Sequence, residues 1–475
     1  MSKRLSMAVA AGLAASLVSG SVAMAAAEGA PHLDGSELSL VWALPFAGIL
    51  LSIAVFPLVA PNFWHHNFGK IATFWAAAFL LPFMVLHGLG IAVYELLHVM
   101  LLEYIPFIIL LLSLFTVAGG VRLRGSLVGS PLVNTAILAF GTLIASWMGT
   151  TGAAMLLIRP IIQANEWRKH RVHTIVFFIF LVANIGGSLT PLGDPPLFLG
   201  FLKGISFFWP MTHLFGPMLV ASGILLAVYF LLDTYLMRKE TAKAPQQSGE
   251  KLALEGSFNI LLLAGVVGAV LLSGLWKPGI SFTIYHVQLE LQNITRDVLL
   301  LGIAFLSWKV TSLESREANG FSWFPILEVA KLFVAIFITI VPAIAILKAG
   351  TDGALSGVVA LVTAADGAPN NAAYFWMTGI LSSFLDNAPT YLVFFNTAGG
   401  DPHELMGPLA LTLEAIAAGA VFMGANSYIG NAPNFMVKAI AEERGIKMPS
   451  FFGYIGWSIL FLIPLFGLIT VLFFL

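Results

Sequence analysis

The 475 residues are 59% apolar and 10% charged, with a formal net charge of -1, whereas soluble domains carry about 25% charged residues. Too few polar side chains exist to clothe a water-facing surface. With a mean hydropathy of +0.92 and apolar runs beyond the roughly 20 residues that cross a bilayer, the chain is membrane-embedded and its first partner is lipid. Near-neutral charge excludes a nucleic-acid partner, which requires a basic footprint, and the absence of cysteine excludes disulfides, thiolate metal sites and cysteine nucleophiles.

Lys3 and Arg4 precede an apolar, small-residue stretch from Met7 to Val22, and Ala23-Met24-Ala25 fits a small-x-small cleavage pattern. Residues 1–25 are expected to be a signal peptide, leaving the mature N-terminus on the periplasmic side of an inner membrane. Spans are expected near 38–60, 71–98, 103–120, 172–206 and 211–236, then near 257–275, 295–311, 325–348, 404–443 and 451–475. Two shorter apolar pairs, 129–164 and 370–398, bend back at polar tips near Thr150 and Asp386 and read as re-entrant hairpins.

The polar stretch 237–256 divides the chain into a first repeat, 26–236, and a second, 257–475. The first half starts outside and the second inside, so the repeats are expected to be inverted. The positive-inside rule agrees. Arg122, Arg124, Arg168, Lys169, Arg171, Arg316 and Arg444 fall in loops expected to be cytoplasmic, as does the 237–256 linker, while Glu95, Glu103, Lys277 with Glu290, and Asp401 with Glu404 fall outside. The C-terminus is then also periplasmic. The expected fold is an all-α polytopic membrane protein of about ten spans plus two hairpins, with discontinuous helices at the midplane.

The first interruption, Asn184 to Pro196, holds two adjacent glycines and three prolines in an otherwise apolar segment. These residues remove helix hydrogen bonds, and unpaired backbone in hydrocarbon is tolerable only against protein or a water-filled cavity. Asn184, Ser188, Thr190 and Asp194 crowd into it, and a carboxylate at such depth marks a functional site by default. Its counterpart, Gly424 to Asn434, offers the neutral groups of Asn426, Ser427, Asn431 and Asn434. The second hairpin tip carries Asp386 and Asn387, whereas the first carries Thr150 and Thr151 and no acid. The alternative for both acids is a structural one, as caps of the helices that follow. Glu414 lies inside the 404–443 segment and could face the same cavity.

The motifs Asn184–Pro196 (NIGGSLTPLGDPP) and Ser383–Pro389 (SFLDNAP) resemble the broken-helix and second-hairpin segments of the ion-transporter superfamily. That superfamily includes NhaD-type sodium/proton antiporters, arsenite permeases and citrate transporters, and the resemblance covers essentially all of the mature chain. It implies a homodimer in which a mobile transport domain moves in elevator fashion against a scaffold. It also implies that Asn184, Asp194, Asp386 and Asn387 line the ion or substrate site. Where the antiporter and arsenite branches carry an Asn-Asp or Asp-Asn pair at the first tip, this chain has Thr150-Thr151.

No HExxH, GxSxG or P-loop pattern occurs, so the chain is expected to be no enzyme and no ATP-driven pump. The leading expectation is a secondary active transporter exchanging Na⁺ for H⁺, with Asp194 and Asp386 binding the two ions in turn and no cofactor beyond the coupling ion. A second expectation is Na⁺- or H⁺-coupled transport of citrate or another carboxylate, the anion lying at the half-helix N-termini. A passive channel is the third.

Overall fold

The computed structural model describes residues 33–125, 127–245 and 252–475, so the signal segment expected over 1–25 lies outside them. Among the described residues nine helices are long and apolar enough to cross a bilayer. They are Leu40–Val59, Pro61–His87, Leu89–Ala118, Pro131–Met148, Val172–Leu189, Trp209–Met237, Phe258–Leu275, Phe324–Lys348 and Phe451–Phe474. This is an all-α, multi-pass membrane protein. Helix is the element that composition demands, because it alone lets one segment satisfy its own backbone in hydrocarbon. A further 20-residue helix, Leu291–Val310, carries Arg296, Asp297 and Lys309 and is correspondingly less apolar.

One boundary differs from expectation. The second and third spans meet not near residues 98–103 but at Gly88, whose φ of +90° suits glycine. The chain runs on from Leu89 through a π-helical turn at Met100–Tyr104 to Ala118. Glu103 is therefore not in an outer loop. It is buried in that turn and paired with Lys203, which is how its charge survives at that depth.

Short strands mark the two ends of the helical body. β1 (Arg122–Arg124) pairs antiparallel with β2 (Ala253–Glu255), and both arginines reach Glu255 at 3.2 Å. The last part of the 237–256 stretch is thereby fastened to the first half of the chain. β3 (Ser281–Ile284) and β4 (Val287–Glu290) form a hairpin turning at Tyr285 and His286, both at positive φ. Helix Phe258–Leu275 runs from β2 to β3, so the β1–β2 and β3–β4 pairs identify opposite membrane faces.

Both expected hairpins are helix pairs. Pro131–Met148 turns at Gly149 (φ +80°) into Thr150–Ala164, and Asn371–Phe384 turns at Leu385-Asp386 into Asn387–Thr397. Both interruptions are present too, between Val172–Leu181 and Pro195–Leu202 and between Ala410–Met423 and Ala432–Glu443. Packing is crosswise: Thr150–Ala164 lies on Ala432–Glu443, and Asn387–Thr397 lies on Pro195–Leu202. Each hairpin thus touches the broken helix of the other half.

A polar knot near the β1–β2 face ties three of these elements together. The Asp233 carboxylate, fully buried, receives both guanidinium nitrogens of Arg168 (2.5 and 3.1 Å), Nε2 of His173 (2.8 Å) and Nδ2 of Asn134 (3.0 Å). Arg168 lies in the loop where it was expected, between Thr150–Ala164 and Val172–Leu181, but is buried there as the partner of an acid 65 positions away.

Candidate functional site

In the first break the chain leaves the α-helix after Leu181, makes a single 3-10 turn over Ile185–Leu189 and becomes extended at Thr190. The backbones of Gly187 and Gly193 come together so closely that a Cβ on Gly193 would lie 2.1 Å from the Gly187 carbonyl oxygen. Only hydrogen permits this approach. The exposed backbone groups are met by the hairpin: Ser146 Oγ donates to Gly186 O (2.5 Å) and accepts from Leu189 N (2.9 Å), and Thr190 Oγ1 donates to Ser146 O.

The second break repeats this pattern. A Cβ on Gly430 would lie 2.5 Å from Gly424 O, Ser427 Oγ donates to Ser383 O, and Asn426 Nδ2 donates to Ser383 Oγ (2.9 Å). Leu192 N donates to Thr190 Oγ1 and Ile429 N to Ser427 Oγ, each at 3.2 Å. Ser146 and Ser383, Thr190 and Ser427, Leu192 and Ile429, Gly193 and Gly430 all share one separation. It is the 237 positions that also separate Asp194 from Asn431.

At the centre, Asp194 occupies the N-cap position of Pro195–Leu202 but makes no capping hydrogen bond. Its oxygens accept instead from Thr150 Oγ1 (3.0 Å), from Asn431 Nδ2 (3.0 Å) and from Asn387 Nδ2. These donors come from the first hairpin, the second break and the second hairpin. The carboxylate is 1% exposed, and all three donors are neutral. Its charged neighbour is another acid, Asp386. Asp386 does act as a cap, accepting from Ala388 N at 3.0 Å, and it also lines the pocket that Asp194 faces.

That pocket, about 120 Å³, is walled by Phe107, Leu114, Val329, Phe333 and Met436, with Thr150, Thr151, Asp194, Asp386 and Asn431 as its polar surface. Among the described residues no Lys, Arg or His lines it. It lies toward the β1–β2 end of helices Leu89–Ala118 and Phe324–Lys348, which supply Phe107 and Leu114, and Val329 and Phe333.

A family described as "Putative citrate transport" matches residues 35–474. The chain belongs to this family. Among curated proteins none matches. The match spans nearly all of the chain and fits the citrate transporter-like part of the ion-transporter superfamily, so the chain is a transporter.

Within this transporter the expected site residues fall into two groups. Thr150, Thr151, Asp194, Asp386 and Asn431 line the pocket, and Asn387 binds Asp194 directly. Asn184, Ser188, Thr190, Asn426 and Ser427 do not line it but hold the breaks. Asn184 Nδ2 donates to Ile179 O (2.8 Å) and to Asn434 Oδ1 (2.7 Å), and Ser188 Oγ donates to Ile185 O (2.9 Å). Asn434 in turn donates to Gly424 O and Ser427 O, clasping one break to the other. Ser146 and Ser383 escaped sequence reasoning as break-holding residues. The common 237-residue offset was the signal that could have found the two serines. Glu414 is buried in Ala410–Met423 and lies outside the pocket lining.

Proposed function

We propose that the chain is a secondary active transporter in which Asp194 and Asp386 bind a monovalent cation, and that its reaction is exchange of Na⁺ for H⁺. One observation carries this reading: two carboxylates share a pocket that no basic side chain lines among the described residues. An isolated buried carboxylate is costly, and what is missing here is a positive charge, which a proton or a sodium ion supplies. The other donors suit a hard cation, since oxygen ligands bind such ions. They include the Asn387 Oδ1 atom, buried without a hydrogen-bond partner among the described residues, and the Thr150 and Thr151 hydroxyls. Competition of Na⁺ and H⁺ for the same acids couples their movements.

The architecture supports alternating access. Both hairpins and both broken helices are bonded across the breaks and would move as one body, with the remaining spans as scaffold. The matched hydrogen bonds, 237 positions apart, support two inverted repeats. We take the arginine-bearing β1–β2 face to be cytoplasmic and propose an inner-membrane homodimer working in elevator fashion.

A second reading is favoured by the family match: cation-coupled transport of citrate or a related carboxylate. The anion would lie at the N-termini of Pro195–Leu202 and Ala432–Glu443, whose free N–H groups favour negative charge, once cations have neutralised the two acids. Everted vesicles and proteoliposomes separate the two. Exchange predicts that added Na⁺ or Li⁺ collapses an imposed pH gradient. Failure to do so, with accumulation of labelled citrate on a Na⁺ or H⁺ gradient, would put the carboxylate reading in its place.

A further inference from the structure

We propose that Lys203 and Glu103 form a latch that closes the Asp194 pocket toward the β3–β4 face and that parts in each transport cycle. The proposal rests on alternating access and not on the identity of the cargo.

A second cavity, about 450 Å³, lies toward the β3–β4 face, with Glu95, His98, Glu103, Lys203 and Lys348 among its walls. The same two helices line both cavities. Leu89–Ala118 contributes Glu103 to the outer one and Phe107 to the inner; Phe324–Lys348 contributes Lys348 to the outer and Val329 to the inner. Between the cavities lies an aromatic layer: Phe107 stacks on Phe333 (4.9 Å) and meets Phe337 (5.7 Å), against which Tyr104 also packs (6.2 Å).

Lys203 is placed to couple the two sides. Helix Pro195–Leu202 has Asp194 at its N-cap and Lys203 at its C-cap, ends about 13 Å apart at 1.5 Å per residue. A short rigid rod therefore has the pocket's carboxylate at one end and the outer cavity's lysine at the other. Displacing Asp194 displaces Lys203. The lysine Nζ meets Glu103 Oε1 at 2.5 Å, which joins the broken helix to Leu89–Ala118 across the outer cavity.

Two features mark this as a separable contact rather than a permanent staple. The glutamate is 4% exposed, yet its Oε2 is buried without a hydrogen-bond partner among the described residues, so the pair recovers only part of its desolvation cost. The Asp233 carboxylate, by contrast, uses both oxygens. Glu103 also sits in the π-helical turn Met100–Tyr104, a local widening of the helix that is frequent at functional sites.

The absence of cysteine makes the test direct. Met436→Cys places a thiol on the part of the inner pocket wall that moves with Asp194, and a membrane-impermeant maleimide is applied to sealed vesicles from the β3–β4 face. In the parent this labelling is slow. Glu103→Gln and Lys203→Gln are each expected to raise its rate about tenfold, since removing one partner of a buried pair penalises the state that holds it. The exchanged variant, Glu103→Lys with Lys203→Glu, should return it to the parent rate. Unchanged labelling in folded single variants, or fast labelling in the exchanged variant, overturns the latch. If a single variant does not fold, Lys203→Arg carries the test: parent-like labelling supports the latch, and fast labelling of folded protein overturns it. A chain that moved neither Na⁺ nor citrate would still give this pattern, so failure of the latch and failure of the cation reading are distinguishable.

Discussion

Asp194 and Asp386 are both at helix N-cap positions, but they use their oxygens differently. Asp386 spends one on its own cap at Ala388, while Asp194 leaves its helix uncapped and takes its hydrogen bonds from three other segments. Asparagine caps a helix as well as aspartate does, so a purely structural Asp386 would leave transport intact in an asparagine variant. The cation reading expects the reverse. Asp194→Asn and Asp386→Asn should each remove transport in vesicles while melting temperature and membrane yield stay close to the parent. For Asp194→Asn the amide still offers an oxygen to Thr150, which is why the fold should tolerate it. Parent-like flux in both variants would reduce the two acids to structural groups.

The breaks depend on glycine at specific positions. A Cβ on Gly193 would meet Gly187 O at 2.1 Å and Ser146 Cα at 2.9 Å; on Gly430 it would meet Gly424 O at 2.5 Å and Ser382 O at 2.7 Å. These are backbone atoms that cannot rotate away. Gly193→Ala and Gly430→Ala should therefore lower stability by about 1–3 kcal/mol or more, the range for forced overpacking, read as a drop in melting temperature. Gly223, inside Trp209–Met237 with nothing within 4 Å of its would-be Cβ, is the control. Alanine there should be neutral or slightly stabilising, because glycine is the poorer helix former. Equal melting of all three variants would mean that the close approaches relax freely. These breaks were legible in the sequence because Gly, Pro, Asn and Asp crowd into segments that are otherwise apolar. The Gly88 boundary was not, since it parts two equally apolar helices while the polar His98 and Glu103 further along imitated a loop. Nor could the sequence pair Glu103 with Lys203, 100 positions away, or Arg168 with Asp233. Charges near helix ends read as solvated until tertiary packing supplies the partner.

Over the whole molecule, the correspondence at 237 positions joins Thr150 to Asn387 as well as Asp194 to Asn431, and all four meet around one carboxylate. The two halves thus build matching backbone sites, yet only one break carries an acid. If transport depends on a single charge in the shared pocket rather than on the break that supplies it, the acid should be movable. Asp194→Asn combined with Asn431→Asp keeps an acid–amide pair between positions 194 and 431, which lie 3.0 Å apart side chain to side chain. Both positions line the pocket, and both precede a helix N-terminus. The relocated carboxylate would find Asn387 on its own hairpin and Thr150 on the other, the mirror of the present arrangement. Stabilisation by Na⁺ in a thermal-shift titration, which reports binding to the folded state, should be absent in Asp194→Asn and return in the exchanged variant within about tenfold of the parent's apparent affinity. An exchanged variant that folds but remains as silent as Asp194→Asn would mean that the first break, and not the pocket as a whole, defines the site.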